Sequence, residues 1–193
     1  MRAPVDLVVI GGSAGAIDVL RTVFRSLEAG FSPAMAVVVH VPADGRALLP
    51  EIFATPRGLR MKLAEDKEPI ESGTVYFAPP DYHLLVEKTR TFALSLDERV
   101  HYSRPAIDVL FESAADAYGD RLLGVILSGA NDDGARGLAA VAAAGGATLV
   151  QSLDSSDMKP MPAAALQAAP GSLVVNASAL ADALRAHGEM HGR

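Results

Sequence analysis

Short apolar runs alternate with amphipathic segments along nearly the whole chain. Asp6–Ile10, Ala34–Val39 and Leu122–Leu127 are almost entirely apolar, which is typical of strands buried on both faces of a parallel sheet. Behind the first run, apolar residues recur at helical spacing, at Ile17, Leu20, Phe24 and Leu27. The pattern therefore predicts strands and helices in alternation.

The same pattern assigns elements to the rest of the chain. Further strands are predicted at Leu59–Leu63, Thr74–Ala78, Ala147–Gln151 and Leu173–Val174, and further helices at Leu48–Ala54, near Pro105 to Tyr118, at Ala135–Ala144, at Met161–Ala169 and from Ser178. His83–Glu87 and Thr91–Leu96 are typical of an antiparallel hairpin. We therefore predict a three-layer, doubly wound α/β fold with a mostly parallel sheet and an antiparallel hairpin at its edge.

Composition narrows the class of protein. The 193 residues, 50% of them hydrophobic, suit one compact domain spanning 1–193. The chain has no cysteine, which excludes disulfides, thiolate catalysis and cysteine-ligated zinc. A net charge of −6 argues against a nucleic-acid partner, which needs a concentrated basic face. Because no apolar run could span a bilayer and no signal peptide is recognisable, we expect a cytoplasmic protein without membrane insertion.

A glycine-rich serine motif, Gly11-Gly12-Ser13-Ala14-Gly15, lies between the first predicted strand and helix. Gly-x-Ser-x-Gly in this context is the nucleophile-elbow motif, in which a sharp turn lifts the serine hydroxyl above the strand end. The N-terminus of the following helix offers free N–H groups to a developing oxyanion. A glycine-rich turn with an N-cap serine would have the same sequence, so the motif alone leaves both interpretations open.

Polar residues also follow two other predicted strands. His40 comes directly after Ala34–Val39, and the pair Asp132 and Asp133 comes after Leu122–Leu127. Each alone could serve only the fold, as a hydrogen-bonded core histidine or as a turn and helix cap. The carboxyl ends of parallel strands, however, meet at one edge of the sheet, where such folds bind their ligands. The residue types then suit nucleophilic catalysis, in which a histidine takes the proton of a serine and a carboxylate supports the imidazolium.

These segments resemble the catalytic domain of the CheB protein-glutamate methylesterases. Val8–Gly15 is similar to the family's serine segment, and Val38-Val39-His40-Val41-Pro42 is similar to its histidine segment. Gly124–Gly129, followed by Asp133-Gly134, is similar to the aspartate segment. The resemblance extends over nearly the whole chain through further similar segments at Gly73–Leu85, Arg104–Phe111 and Met161-Pro162.

The resemblance implies a serine hydrolase with Ser13, His40 and Asp133 as its catalytic triad. It favours Asp133 over Asp132 because the residue before Gly134 aligns with the family's catalytic aspartate. The implied substrates are glutamate methyl esters on the cytoplasmic helices of chemoreceptors, often with deamidation of receptor glutamines. No cofactor and no metal are expected. Most members carry a receiver domain ahead of the esterase; because the first predicted strand begins at Asp6, we expect a stand-alone domain that a phosphodonor does not stimulate.

Three departures from the family pattern concern the surroundings of these residues. Ala16 replaces a glycine after the serine, and Ala130-Asn131 replaces Met-Gly ahead of the two acids. The segment Ser155–Pro160 lacks a common Phe-Gly. None of the three affects the expected triad, but together they leave the identity of the substrate open.

Two other functions remain as alternatives. One is a catalytically silent CheB-like signalling or binding module. The other is a dinucleotide-binding protein, although Ser13 stands at the second glycine position of G-x-G-x-x-G and His40 stands where a ribose-binding acid is expected. His83 and His101 are expected to be structural or surface residues, and His187 and His191 lack the context of a metal motif. Arg104 could meet a substrate carboxylate or an internal acid.

Overall fold

The computed structural model describes residues 4–27, 31–40, 48–54 and 59–188. Its strands are β1 (Leu7–Gly12), β2 (Ala34–Val39), β3 (Arg60–Leu63), β4 (Thr74–Phe77), β5 (His83–Val86), β6 (Phe92–Ser95), β7 (Leu122–Ile126), β8 (Ala147–Gln151) and β9 (Leu173–Val175). Its α-helices are α1 (Ala16–Ser26), α2 (Leu49–Phe53), α3 (Ile107–Tyr118), α4 (Ala135–Ala143), α5 (Pro160–Ala168) and α6 (Leu180–Gly188). None of these helices combines the length and apolar character that a membrane span requires.

Seven of the described strands form one parallel sheet in the order β3-β4-β2-β1-β7-β8-β9. β1 lies at the centre, and the chain first builds the sheet outward through β2 on one side and later through β7 on the other. In open α/β sheets, ligands bind outside the carboxyl ends of the strands where this change of direction occurs. The topology therefore places the ends of β1, β2 and β7 at the expected functional edge.

Hydrophobic cores lie on both faces of the sheet. Alternate residues of β1 point to opposite faces, with Val8 and Ile10 in one core and Leu7 and Val9 in the other. The first core is covered by α1, α2 and α6, and the second by α3, α4 and α5 together with the hairpin. The three-layer arrangement predicted from the apolar runs is thus confirmed.

The hairpin differs in one respect from the prediction. β5 and β6 pair in antiparallel fashion as expected, but they form a separate two-stranded sheet and are not hydrogen-bonded to the large one. The hairpin packs against α3, where the Val86 N–H donates to Ser113 Oγ (3.0 Å), and the Phe92 ring lies edge-on to Tyr76 with centroids 4.8 Å apart. The hairpin is therefore held by packing on α3 and on Tyr76 of β4, and by backbone hydrogen bonds between Phe92 and residues 67 and 68, and not by pairing with a strand of the large sheet.

Candidate active site

Ser13 lies directly after β1, in the turn that leads into α1. The Ala16 N–H donates to the carbonyl of Ser13 (3.0 Å), and Gly15 has φ 83° and ψ −10°, a conformation that glycine adopts readily at the third position of a tight turn. The predicted strand–turn–helix is therefore present. The left-handed residue is Gly15 and not the serine, so the turn lacks the strained serine of a nucleophile elbow.

His40 lies beside this turn because β1 and β2 are paired in register. Gly12 is opposite Val39, so the residue that follows each strand, Ser13 or His40, is at the same level of the sheet. The His40 N–H donates to the carbonyl of Gly12 (3.0 Å), and the side chain of His40 is only 11% exposed. Strand pairing thus fixes the backbone of His40 next to the serine turn.

Asp133 reaches the same edge from the loop after β7. Its side chain is fully buried, and its Oδ2 lies 2.9 Å from His40 Nε2, with the ring turned from an ideal N–H···O line. The carboxylate also accepts hydrogen bonds from the N–H groups of Ile107 (2.7 Å) and Asp108 (2.9 Å), the first two residues of α3. The carboxylate is therefore held between an imidazole and a helix N-terminus.

These neighbours determine the ionisation of Asp133. Burial alone would raise its pKa, but the contact with His40 and the two N–H groups of α3 outweigh burial, so that the pKa is lowered from its ordinary value. The anion at this position is thus the favoured form.

Asp132 has a different environment from its neighbour. Its side chain is 68% exposed, and its Oδ1 lies 3.3 Å from His101 Nδ1. The structure therefore brings Asp133, and not Asp132, into contact with His40.

Ser128 joins the loops around the site, a role that the sequence analysis missed. Its Oγ donates to the carbonyl of Ala14 (2.7 Å) and accepts from the N–H of Met158 (2.9 Å), and its carbonyl accepts from Ser13 N–H (2.9 Å). Gln151 Oε1 accepts from the Ser128 N–H (2.9 Å). In the sequence, Ser128 directly follows the most apolar strand and lies in the segment similar to the family's aspartate segment, but neither fact specifies these partners.

Several backbone N–H groups in the loops after β1 and β7 donate no hydrogen bond to any described residue. They include those of Ala14 and Ala130, both of which are exposed residues. The N–H groups of Ser128 and Gly129, by contrast, are bonded to Gln151 and Met158. Ala14 and Ala130 are therefore among the N–H donors available to a bound group.

His83, Arg104 and His187 contact backbone groups of the fold. His83 Nε2 lies 2.9 Å from the Glu98 carbonyl and its Nδ1 accepts from Ala106 N–H, as expected of a structural residue. Arg104 Nη1 donates to the carbonyls of Leu96 and Asp97. His187 contacts the Ala183 carbonyl, whereas Val41, Pro42 and His191 lie outside the described residues.

His101 lies closer to the site than the sequence suggested. One of its nitrogens and one oxygen each of Asp108 and Asp133 lie within 4.8 Å of one another, a spacing that could hold a cation. Three of the four carboxylate oxygens of this pair, however, already accept hydrogen bonds from backbone N–H groups. The two carboxylates thus serve as caps of helix N-termini, and we assign no metal to them.

Comparison with known proteins shows the family of the chain. The family model for CheB methylesterase matches residues 8–184. The chain belongs to the CheB methylesterase family. A crystal structure of the CheB methylesterase catalytic domain of Thermotoga maritima superimposes with a TM-score of 0.89 at 28% identity, covering 94% of this chain and 98% of that one.

Two curated relatives show how the CheB domain occurs in chains of different length. A putative protein-glutamate methylesterase/protein-glutamine glutaminase of Leptospira interrogans is 42% identical over 177 residues, which are 92% of each chain. A protein-glutamate methylesterase/protein-glutamine glutaminase of Rhodospirillum rubrum is 38% identical over 167 residues, 84% of this chain but 43% of that protein. The matched region is thus nearly the whole of the first relative and less than half of the second.

Proposed function

We propose that Ser13, His40 and Asp133 form a catalytic triad that hydrolyses glutamate methyl esters on the cytoplasmic helices of chemoreceptors. The observation that carries the proposal is the contact of 2.9 Å between the buried Asp133 carboxylate and His40, at the sheet edge where β1 delivers Ser13. Membership of the CheB methylesterase family and the names of the relatives support the substrate class.

His40 divides its two ring nitrogens between the other members. Because Nε2 faces Asp133, the N–H is retained there and Nδ1 is the nitrogen that exchanges a proton with Ser13. This is the reverse of the serine-protease template, in which Nδ1 faces the aspartate. Asp133 stays ionised throughout and stabilises the imidazolium, as its lowered pKa favours.

The reaction proceeds in two steps. Ser13 Oγ attacks the ester carbonyl while its proton moves to His40 Nδ1; the carbon–oxygen bond to the methoxy group then breaks, and the same proton leaves with methanol. A water molecule, deprotonated by His40, then attacks the acyl-enzyme, and the free glutamate and Ser13 are restored. With a glutamine substrate the same sequence releases ammonia.

The developing oxyanion needs donors on the opposite side of the carbonyl from His40. The N–H groups of Ala14 and Ala130, which have no partner among the described residues, are proposed for this role. Ala14 contributes an N–H group from the first turn after β1, close to the positive end of α1. No metal or cofactor takes part in this scheme.

We further propose that residues 1–193 act as one domain in the cytoplasm, where the cytoplasmic helices of chemoreceptors are accessible. The continuous hydrogen-bonded sheet across the described residues supports a single folding unit. A nucleic acid is not proposed as a partner because the chain carries a net charge of −6.

A catalytically silent module with the same fold is the alternative to an enzyme. Labelling with a fluorophosphonate distinguishes the two, since this reagent forms a stable bond only with an activated serine. We expect labelling of the purified protein and its loss in Ser13→Ala and His40→Ala. An unlabelled protein with normal folding would favour the silent module. The dinucleotide-binding alternative would instead predict a thermal shift with nicotinamide nucleotides.

The substrate is tested by mass spectrometry of receptor peptides. Membranes that carry methylated chemoreceptors are incubated with the protein, and the methylated glutamates and the glutamines of the receptor are quantified. Loss of methyl esters with recovery of glutamate is the expected result, and conversion of glutamine to glutamate would show deamidation. Unchanged peptides, together with fluorophosphonate labelling of Ser13, would indicate a hydrolase with another substrate.

A further inference from the structure

Asp133 and Asp108 accept hydrogen bonds from the N-termini of two neighbouring helices, Asp133 from α3 and Asp108 from α4. Asp133 precedes α4, and its carboxylate accepts the N–H groups of Ile107 and Asp108 at the start of α3. Asp108 lies in that first turn of α3, and its Oδ1 accepts the N–H groups of Gly134 (2.9 Å) and Gly137 (2.7 Å) at the start of α4. Each helix N-terminus is thus satisfied by the acid of the other, in a closed ring of hydrogen bonds.

Close packing of α3 on α4 makes this ring possible. A Cβ at Gly137 would lie 2.6 Å from Phe111 Cβ and 3.1 Å from Asp108 Cα, so only glycine allows the two helices to approach so closely. Neither helix has a side-chain cap from its own N-cap residue, Ala106 or Gly134. The two aspartates therefore replace the local caps that both helices lack.

The second oxygen of Asp108 faces two basic side chains on its outer side. Oδ2 lies 3.3 Å from His101 Nε2 and 3.8 Å from an Arg136 nitrogen, and the side chain of Asp108 is 1% exposed. Burial raises the pKa of Asp108, the N–H of Gly137 opposes this, and the charge of Asp133 raises the pKa further. The hydrogen bonds from α4 thus oppose the cost of burying this acid, and they fix the position of its carboxylate.

We propose that Asp108 is a positioning residue for the triad, which holds the first turn of α4 and thereby aims the Asp133 carboxylate at His40. Asp108 makes no contact with His40 itself in this scheme. It acts through the backbone of Gly134, the residue that directly follows Asp133. The inference rests on the proposed function for its kinetic part, but its geometric part concerns only His40 and Asp133.

Asp108→Asn and Asp108→Ala separate positioning from charge. The asparagine oxygen can still accept both N–H groups of α4, whereas alanine leaves them unsatisfied. We expect Asp108→Ala to lower kcat for methyl ester hydrolysis by about 10- to 100-fold at unchanged KM, as small misplacements of catalytic groups do. Asp108→Asn is expected to retain kcat within about 3-fold.

Ser113→Ala is the matched control on the same helix. Its hydroxyl accepts the buried N–H of Val86 and therefore also contributes a structural hydrogen bond, but it lies on the hairpin side of α3. Ser113→Ala should lower thermal stability without lowering kcat. If Asp108→Ala does not fold, Asp108→Ser takes its place, because the shorter hydroxyl holds α4 less well and should lower kcat in the same direction.

A double-variant cycle tests whether Asp108 acts through Asp133. In an Asp133→Ala background the acid to be positioned is gone, so adding Asp108→Ala should lower kcat by less than about 2-fold further. A second loss as large as that in the wild-type background would overturn the proposal, because it would show that Asp108 acts independently of Asp133.

Imidazole ¹⁵N shifts of His40 provide a readout that does not depend on substrate. The wild-type protein and Asp108→Asn are expected to hold the proton on Nε2, and Asp108→Ala to show a mixture of tautomers. An unchanged tautomer in Asp108→Ala would contradict the proposal. If the wild-type protein instead released no methanol, the proposed function would fail while the ¹⁵N shifts still decided the role of Asp108.

Discussion

At the scale of single residues, three different local devices place the proposed triad. Strand pairing sets the backbone of His40 opposite the serine turn, and the left-handed Gly15 turns the chain after Ser13. Asp133 is fixed by backbone N–H groups of α3 and not by its own loop. The family motif predicted Asp133 over Asp132, and the burial of Asp133 and its contact with His40 support that choice in physical terms.

The roles of Asp133 and Asp132 can be compared through the same substitution at each position. Asp133→Asn replaces one carboxylate oxygen by an NH₂ group, so the side chain can no longer accept hydrogen bonds from both α3 and His40. We expect turnover to fall by about 10⁴, as it does on loss of the triad acid in serine proteases. Asp132→Asn should change turnover by less than about 3-fold, because its side chain is 68% exposed. Steady-state methyl ester hydrolysis by both variants measures this difference. A larger loss in Asp132→Asn would mean that the wrong acid has been chosen.

At the scale of elements, the apolar runs predicted the described strands and helices to within about two residues at most of their ends. Ala34–Val39 and Ala147–Gln151 were predicted with the observed bounds. The reciprocal Asp108–Asp133 caps could not be predicted, since they join residues 25 to 29 positions apart through backbone groups. The position of the hairpin also escaped prediction, because alternation along a strand does not say whether its apolar face meets a strand or a helix.

Because α3 and α4 cross closely at Gly137, we expect a substitution of this glycine to destabilise the fold. Gly137→Ala gains about 0.5–1 kcal/mol of helix propensity, but the new Cβ would meet Phe111 Cβ at 2.6 Å, and overpacking costs about 1–3 kcal/mol. We therefore expect a net loss of about 1 kcal/mol in the free energy of unfolding, measured by chemical denaturation. Gly171→Ala is the control, since nothing lies within 4 Å of its added Cβ. Equal effects of the two substitutions would argue against the close crossing.

We expect a substitution in the loop after β7 to change substrate binding and not folding. Ala130 is exposed beside Asp133, and a methionine there would add a flexible apolar side chain at the edge of the site. Ala130→Met should change the KM for receptor esters and leave the Tm within about 1 °C, in line with exposed substitutions. An unchanged KM with a lowered Tm would show that the loop has a structural role instead.

At the scale of the whole molecule, the buried Asp133 anion links the site to stability against acid. Its pKa in the folded protein is lowered from the ordinary 3.8, so its ionised form stabilises the fold above that pH and this contribution is lost as the pH falls through the folded-state pKa. The difference in unfolding free energy between the wild-type protein and Asp133→Asn should therefore shrink as the pH falls below about 4. Denaturant titrations across that range measure it, and a difference that grows on acidification would contradict the assignment.

Ser13 is proposed to act on a receptor ester, and every role assigned to the other residues follows from that reaction. The most direct measurement is the rate of methanol release from membranes that carry methylated chemoreceptors, with the purified protein and with Ser13→Ala and His40→Ala in parallel. We predict release by the wild-type protein and a fall of about 10⁶ in both variants, as in serine proteases, which takes them to background. Release by Ser13→Ala at a rate near that of the wild-type protein would contradict the account.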